Sequence, residues 1–260
     1  MIEIQNISKQ FGGRVILEDI SAVMEAGKCN LIIGTSGSGK TVLTKCMVGL
    51  FQPDQGAILY DGADMMVMET DERKLLRQKI GMLFQGTALF DSMTVEQNIL
   101  FPLDMFTNWT QAEKKKRADE VLDRVNLNDT HKRYPAEISG GMKKRVGIAR
   151  SIVLNPKYLF CDEPNSGLDP QTSLVIDKLI KEITLEFNIT TIVVTHDMNS
   201  VMEIGDYIVY LHQGRKQWEG SNKDIIFSKD ELLNNFIFAS EFLQDAKEMR
   251  MMEANSTNPS

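Results

Sequence analysis

The chain has 260 residues, of which 42% are hydrophobic and 25% charged, and its formal net charge is −7. This length is enough for a substantial core, in one large domain or two small ones. The acidic balance argues against nucleic acid as a partner and against direct adhesion to anionic lipid, since both usually require a basic face. No apolar stretch approaches the ~20 residues that span a bilayer, so the chain is expected to be cytosolic unless a protein partner holds it at a membrane.

The chain begins with Met1–Ile7, where apolar and polar residues alternate as in an edge strand, unlike a signal peptide. Residues 1–60 contain several short strand patterns and no long helix before the glycine-rich segment at residue 34. A turn signal, Asp61-Gly62, follows one of these strands. This part predicts a small antiparallel β-layer packed against the remainder of the domain.

Beyond this layer, strand and helix patterns alternate, which predicts an α/β domain with a mainly parallel sheet. Residues 86–152 are mostly helical in pattern and predict an inserted helical subdomain. One of its helices begins at a capping box, Thr110–Glu113, and the charged segment Glu113–Arg117 is expected to be a solvated face. Across the chain, the predicted strands are Lys28–Ile33, Ala57–Tyr60, Ile80–Phe84, Tyr158–Cys161, Thr190–Thr195 and Ile208–Leu211.

The pattern changes again after Gly220, where residues 221–250 predict a C-terminal helical extension. Ser221–Ile226 and Ser228–Glu231 both resemble helix starts, with an acidic residue three positions after each serine. Residues 251–260, rich in Asn, Ser and Met, are expected to be a disordered tail.

The segment after the apolar run Leu31–Ile33 has the phosphate-binding pattern G-x-x-x-x-G-K-[ST]. Its glycines allow backbone N–H groups to surround a phosphate, and the helix that follows adds a partial positive charge. The lysine would reach the β- and γ-phosphates, and the final hydroxyl would bind Mg²⁺. A purely structural strand-to-helix turn is the alternative. The residues are Gly34, Thr35, Ser36, Gly37, Ser38, Gly39, Lys40 and Thr41.

Polar residues follow three other predicted strands, at the edge where parallel sheets bind ligands. Asp162 and Glu163 follow one strand, Gln85 another and His196 a third. Asp162 is expected to hold Mg²⁺, Glu163 to act as general base on the attacking water, and Gln85 to serve both metal and water. His196 could donate to the γ-phosphate. Asp162 and Glu163 can face the same ligand only if the strand ends there, as Pro164 suggests.

A second glycine-containing helix start, Ser139, Gly140, Gly141 and Met142, has no lysine at the phosphate-loop position. With the D-loop motif Ser166, Gly167, Leu168 and Asp169, the motif order makes residues 1–220 resemble an ATP-binding cassette (ABC) ATPase domain. Its signature would be Ser139–Met142 and its catalytic residues Glu163, His196 and Gln85. Phe11 occupies the position of the aromatic that stacks on adenine, although it could instead cap the β-layer.

The resemblance implies ATP and Mg²⁺ as ligands, with Thr41, Gln85 and Asp162 at the metal. It also implies a head-to-tail homodimer in which ATP lies between the phosphate loop of one copy and the signature of the other. The commonest signature ends in Gln, whereas Met142 cannot donate a hydrogen bond. Any ribose contact by that side chain is therefore lost, while the Ser139 and backbone contacts remain.

Met82–Phe90 and Thr94–Ile99, with the Ser-Gly-Gly-Met signature, are similar to the ATPases of Mla-type phospholipid transporters, which are associated with Mce proteins. This similarity implies integral-membrane permease subunits, a lipid-binding Mce-domain protein, and a peripheral position on the inner face of the cell membrane. The family's permease contact lies at residues 80–105. The C-terminal extension, with Phe236, Phe238 and Phe242, would embrace the neighbouring ATPase subunit or pack on its own domain.

Three alternatives stay open. One is an ABC transporter ATPase with a different cargo. The second is a soluble ABC protein of translation or DNA repair, although two cassettes or a long coiled-coil insertion would then be expected. The third is another P-loop class, such as a kinase or GTPase, in which Ser139–Met142 and His196 would have no role.

Overall fold

The computed structural model describes residues 1–239, 244–245, 247–249 and 251–252. Its strands form two sheets. The first is antiparallel, with the order β2-β1-β4-β5. Asp61 and Gly62, with φ of 51° and 84°, form the tight turn between β4 and β5. These strands are β1 (Ile2–Phe11), β2 (Arg14–Met24), β4 (Gln55–Tyr60) and β5 (Ala63–Asp64).

The second sheet has six strands in the order β10-β9-β3-β8-β7-β6, and only its β10–β9 pair is antiparallel. The predicted α/β fold with a mainly parallel sheet and a small antiparallel β-layer is therefore confirmed. The strands are β3 (Cys29–Ile33), β6 (Ile80–Leu83), β7 (Tyr158–Asp162), β8 (Thr190–Thr195), β9 (Tyr207–His212) and β10 (Arg215–Gly220).

The helices connect these strands, and three of them lie within residues 86–152, a fully described range that contains no strand. They are α1 (Lys40–Met47), α2 (Thr70–Gln78), α3 (Val95–Phe106), α4 (Gln111–Arg124), α5 (Gly140–Ile152), α6 (Pro170–Glu186), α7 (Met198–Ile204) and α8 (Glu231–Ile237), with 3₁₀ helices at Pro135–Glu137 and Asp224–Phe227. No helix in the described part of the chain is both long and apolar enough to cross a membrane.

The six-stranded sheet separates two apolar cores. Successive residues of β3 point to opposite faces, so Leu31 and Ile33 join one core and Ile32 the other. The core that contains Ile32 also includes residues of α1 and the antiparallel sheet. The core that contains Leu31 includes residues of α3 to α7, so the helices of residues 86–152 share a continuous core with the sheet.

The charged segment of α4 departs from the expected solvated face. Lys114 is buried and its ammonium pairs with Asp104 of α3 at 2.8 Å. Arg117 donates from Nε to the Val153 carbonyl, just beyond α5, at 3.0 Å. Long basic side chains can bury their aliphatic stems while the charged ends reach polar partners. These two residues therefore fasten α4 to its neighbouring helices.

The C-terminal region begins differently from the prediction. The first expected helix start gives only the 3₁₀ helix at Asp224–Phe227. The second helix, α8, is capped by Asp230, whose Oδ1 accepts from the Leu233 amide at 2.7 Å. Ser228 was expected to begin this helix, but its hydroxyl accepts from the Asp230 amide instead. A carboxylate next to the first helical residue is the stronger acceptor and determines the start.

The described part of the extension packs on its own domain. Phe238 is buried in the same core as the six-stranded sheet, and Phe236 stacks on Tyr210 with ring centroids 5.2 Å apart. Phe242 and the tail residues 253–260 lie outside the described residues, as does most of 240–250. Contact with a neighbouring copy stays a prediction for that remainder.

Candidate active site

The glycine-rich loop joins β3 to α1 and ends at the N-terminus of that helix. Gly39, with φ of 106°, precedes α1, and no side chain caps the helix. A Cβ at Gly34 would lie 2.3 Å from the Leu211 carbonyl oxygen and 2.6 Å from Ser38 Oγ. Only glycine fits that position. The loop therefore presents an uncapped helix N-terminus, which attracts anions.

Ser38 supplies an independent sign that this loop binds a ligand. Ser38 is 3% exposed, and its Oγ has no hydrogen-bond partner among the residues that the structure describes. Buried hydroxyl groups are nearly always hydrogen-bonded, because burying one without a partner is costly. A phosphate oxygen in the loop would supply the missing partner.

Lys40 lies inside the same loop rather than in solvent. Its Nζ donates to the carbonyl oxygens of Gly34 at 2.8 Å and Thr35 at 3.0 Å. Burial lowers the pKa of Lys40, while the nearby carboxylates of Glu163 and Asp162 oppose the shift. The ammonium is thus held where a phosphate would sit, by two weak neutral acceptors that a phosphate can replace.

Asp162 and Glu163 lie at the end of β7, and the backbone there explains how both can face one ligand. Asp162 is the last residue of the strand, whereas Glu163 has a left-handed φ of 48°. Burial raises the pKa of Asp162, as does the adjacent Glu163, while Lys40 opposes them. A positive φ is uncommon in non-glycine residues. The residues that adopt one are often found at functional sites.

Glu163 and His196 are in direct contact. His196 Nδ1 lies 2.8 Å from Glu163 Oε1. A carboxylate without a proton can only accept, and opposite such a group Nδ1 is the donor. In this arrangement Nε2 could donate to a phosphate, as the sequence suggested, only if the imidazole ring is doubly protonated. The His196 side chain is 68% exposed and Glu163 is 15% exposed.

Gln85 follows β6 and its side chain reaches the D-loop. Gln85 Nε2 donates to Ser166 Oγ at 3.4 Å. Two left-handed residues follow, Thr87 with φ of 63° and Ala88 with φ of 48°. Such a φ is strained for a β-branched residue. Arg150 of α5 holds this strained segment by donating to the Thr87 carbonyl at 2.7 Å and the Ala88 carbonyl at 2.8 Å.

The predicted signature forms a separate concavity. Its lining comes from Ser139–Met142, Arg145, Gly167–Asp169 and Thr172, with no residue of the glycine-rich loop. Ser139 caps α5 by accepting from the Met142 amide at 3.3 Å, so its hydroxyl hydrogen stays available to a ligand. Met142 packs against the apolar core, which accounts for a thioether at this position.

One D-loop residue and one signature residue meet the start of α6. Asp169 caps α6 by accepting from the Thr172 amide at 3.0 Å. A Cβ at Gly141 would lie 2.7 Å from Thr172 Cγ2, so glycine allows α5 to approach the start of α6. A Cβ at Gly140 would lie 3.7 Å from Leu168 Cδ2, so the signature and the D-loop are in van der Waals contact.

Phe11 lies at the end of β1 and is 44% exposed. Its ring meets Phe51 edge-on, with centroids 5.3 Å apart, and Lys9 Nζ lies 5.2 Å from the ring centroid. These contacts leave part of the ring accessible for stacking. The adenine contact stays a prediction.

The residues assigned to magnesium suit that ion chemically. A carboxylate (Asp162), a hydroxyl (Thr41) and an amide oxygen (Gln85) are the hard oxygen donors that Mg²⁺ takes, together with phosphate oxygens and waters. Asp162 has no hydrogen-bond or ion-pair partner among the described side chains. No group of three or more His, Cys, Asp or Glu side chains in the described part forms a metal site. Magnesium would neutralise charge on the phosphates.

Sequence reasoning missed Lys144, which links Gln85 and Glu163 to α5. Lys144 is only 4% exposed, and its Nζ donates to the Gln85 carbonyl at 2.5 Å and the Glu163 carbonyl at 3.2 Å. Helical spacing held a signal, because Lys144 precedes the buried Ile148 and Ile152 by one and two turns. Lys143 and Arg145, the residues on either side, are less buried.

Comparison with known proteins finds relatives that match most of this chain. The family model described as "ABC transporter" matches residues 17–166. The chain is 38% identical over 263 residues to the "Methionine import ATP-binding protein MetN" of Desulfitobacterium hafniense, covering 100% of this chain and 77% of that protein. It is 36% identical over 236 residues to the "Probable ribonucleotide transport ATP-binding protein mkl" of Mycobacterium leprae, covering 91% and 68%.

Among solved structures, it resembles the dimeric ATP-binding cassette MJ0796 in a post-hydrolysis state bound to ADP and Pi. The TM-score is 0.76 at 31% identity, with coverage of 85% of this chain and 99% of that chain.

Proposed function

This chain belongs to the ABC transporter ATP-binding proteins, and from that premise we propose that two copies bind two ATP molecules between them and drive a membrane phospholipid transporter. The chain is an ATPase that converts ATP and water to ADP and phosphate, and it forms part of a transport complex. The individual residue roles and the cargo are the proposal.

One observation supports an ATP site shared between two copies of the chain. The loop of Gly34–Thr41 has an orphaned hydroxyl and a buried lysine, whereas the signature concavity has a second helix N-terminus but contains no residue of that loop. Each looks like half of a phosphate site. A second copy placed head to tail would complete both halves.

Within one ATP site, the residues of this chain would have separate roles. Gly34–Thr41 would bind the phosphates, and Asp162, Thr41 and Gln85 would hold Mg²⁺. Glu163 would accept a proton from the attacking water, while His196 orients that carboxylate through its 2.8 Å contact. Ser139 of the other copy would close the site over the γ-phosphate and exclude water other than the attacking molecule.

The permease is proposed to dock in an apolar groove between β6 and the start of the helical region. This groove, of about 420 Å³, is lined mainly by apolar and aromatic residues, with basic side chains at its margin. Phe84, Phe90 and Phe106 are 42%, 40% and 48% exposed. Exposed aromatics grouped in a groove favour a protein partner, here a short permease helix that presents apolar and acidic residues. The lining includes Arg77, Met82, Phe84, Phe90, Phe101, Phe106 and Arg150.

A Phe106→Glu substitution tests this docking surface. We expect the variant to fold and bind ATP normally, because the side chain is exposed, but to lose most co-purification with its membrane subunits. A carboxylate in the apolar groove would have to be desolvated on docking. Leu185→Glu is the matched control, since Leu185 is also exposed, on α6, and does not line the groove. Equal membrane recovery of both variants would contradict the proposed docking site.

Phospholipid is the proposed cargo because the segments that resemble Mla-type ATPases lie at this groove. Met82, Phe84 and Phe90 come from one segment, and Thr94–Ile99 begins the helix that carries Phe101 and Phe106. Similarity there bears on which permease is recognised. An Mce-domain lipid-binding protein would belong to the same complex, held on the membrane by the permease. Methionine is the second candidate, favoured by the full-length similarity to the MetN protein.

Transport measurements distinguish the two cargos, using a complex of the chain with the permease subunits that co-purify with it from its native membrane. The purified complex, reconstituted in vesicles, should transfer fluorescent phospholipid to acceptor vesicles only with Mg-ATP, and in detergent phospholipid should stimulate its ATPase. L-methionine and a ribonucleoside should give no stimulation. A complex carrying Glu163→Gln is the matched control for ATP dependence. Stimulation by methionine without phospholipid transfer would show that methionine is the cargo, and the ATPase assignment would stand.

A further inference from the structure

Lys144 is the buried charged residue of α5 that the proposed mechanism does not use. It lies one turn beyond the signature start, with only 4% of its surface exposed. No acidic side chain in the described part of the chain forms an ion pair with it. Burial lowers the pKa of this amine, and the nearby Cys161, Glu163 and Asp162 oppose the shift.

A contribution to stability does not explain why a lysine is buried at position 144. A buried ammonium loses its hydration, and neutral carbonyl acceptors return less than a carboxylate would. Apolar residues of similar size often replace buried charges without loss of stability. The position of its two acceptors offers a more specific explanation.

Both acceptors are main-chain groups of residues that carry the proposed reacting side chains. Lys144 Nζ bonds the Gln85 carbonyl at 2.5 Å and the Glu163 carbonyl at 3.2 Å. Gln85 lies at the end of β6 and Glu163 just beyond the end of β7. One ammonium therefore links the segments after β6 and β7, whose residues Gln85 and Glu163 are proposed to act on the attacking water.

Glu163 in particular needs such support. Its left-handed φ of 48° is unfavourable, and its amide donates to the Val194 carbonyl at 2.9 Å. Its carbonyl accepts from Lys144 and also from the Ser166 amide at 3.1 Å. With both backbone groups held, the direction in which the side chain leaves the main chain is fixed.

The helix that supplies Lys144 also begins with the signature. Ser139 caps α5, and Arg150 at its far end holds the strained Thr87 and Ala88 carbonyls. The same helix therefore touches the Gln85 segment at two points. If the signature serves the ATP of the other copy, α5 connects one ATP site to the hydrolytic groups of the next.

We propose that Lys144 is a positioning residue for ATP hydrolysis, fixing the main chain of Gln85 and Glu163 to the helix that carries the signature. This inference rests on the proposed function. It assigns to Lys144 no contact with nucleotide or water. It predicts a defect in the hydrolytic step and none in ATP binding.

The test uses Lys144→Met, which keeps an unbranched side chain, shorter by its terminal atom, and removes the charge and all three donors. We expect kcat to fall about 10- to 100-fold, since small displacements of catalytic groups have effects of that size, with KM for ATP unchanged within about two-fold. The variant should accumulate an ATP-bound dimer, whereas general structural damage would reduce the dimer. Lys144→Arg should restore most of the rate.

Lys143→Met is the matched control, because Lys143 is the preceding residue of α5 and makes no side-chain hydrogen bond among the described residues. Its kcat should stay within about two-fold of wild type. In a Glu163→Gln background, Lys144→Met should add little further loss, because both changes act through one group.

The outcomes distinguish a failure of the proposed function from a failure of the role of Lys144. A wild-type protein without ATPase activity would overturn the proposed function itself. An active wild type with an unchanged kcat in Lys144→Met, or a Lys144→Arg variant as impaired as Lys144→Met, would overturn only the role of Lys144. If Lys144→Met fails to fold, Lys144→Gln carries the test: a shorter neutral amide should lower kcat at least 10-fold, and an unchanged kcat would refute the proposal.

Discussion

Glu163→Gln should bind ATP at least as tightly as wild type and hydrolyse it about 100- to 10,000-fold more slowly, the range over which a general base contributes. The amide is nearly isosteric with the carboxylate but cannot accept a proton from water. Its carbonyl oxygen can still accept from His196 Nδ1, so the 2.8 Å contact survives. Removing a negative charge that faces the phosphates would strengthen ATP binding.

The same variant should accumulate as a dimer when Mg-ATP is present. If two ATP molecules lie between two copies, closure is favoured by binding and reversed after hydrolysis. Size-exclusion chromatography with light scattering would show a monomer without nucleotide and a dimer with ATP. Steady-state phosphate release gives the rate.

Glu203→Gln is a suitable control, because it makes the same charge change on the exposed surface of α7. It should hydrolyse ATP at the wild-type rate and should not trap a dimer. A Glu163→Gln variant with near-wild-type turnover would show that another group accepts the proton. A variant that is slow but remains monomeric with ATP would contradict the head-to-tail arrangement.

The residues at the sheet edge could be predicted because the relevant pattern is local. The bounds of β8, Thr190–Thr195, follow from an unbroken β-branched and apolar run, and the parallel sheet follows from alternating strands and helices. Given a parallel sheet, the polar residues after its strands must meet at one edge. Gln85, Glu163 and His196 could therefore be grouped without coordinates.

The long-range partners could not be predicted in the same way. Whether Lys144 is buried depends on two carbonyl groups 59 and 19 residues away in the sequence. The left-handed φ of Thr87 contradicts its own local preference and persists because Arg150 bonds its carbonyl. Local propensity favours Ser228 as a helix cap, but the carboxylate of Asp230 is placed closer to the first turn. For Lys144 and Thr87 a tertiary contact outweighs the local pattern, whereas at Ser228 a neighbouring residue replaces it as the cap.

Lys40→Ala should lose ATP affinity and keep its fold. Charge-assisted hydrogen bonds contribute about 1.5–3 kcal/mol each, so removing the ammonium should weaken ATP binding about 10- to 100-fold or more. Without nucleotide, Lys40 is buried and its pKa is lowered by burial, so its loss removes a desolvation cost along with bonds to two carbonyls. The nucleotide-free variant should therefore melt near the wild-type temperature.

The measurement that separates binding from folding is thermal unfolding with increasing Mg-ATP. Ligand that binds only the folded state raises its stability by RT ln(1 + [L]/Kd), which is about 2.7 kcal/mol at 100 times the Kd. Wild type should show this rise, and Lys40→Ala should show about half of it or less at the same ATP concentration. Lys178→Ala, an exposed lysine on α6, should behave as wild type. An equal ATP-dependent rise in Lys40→Ala would mean that the ammonium does not contact the phosphates, and the glycine-rich loop would then hold them through its N–H groups and Ser38 alone.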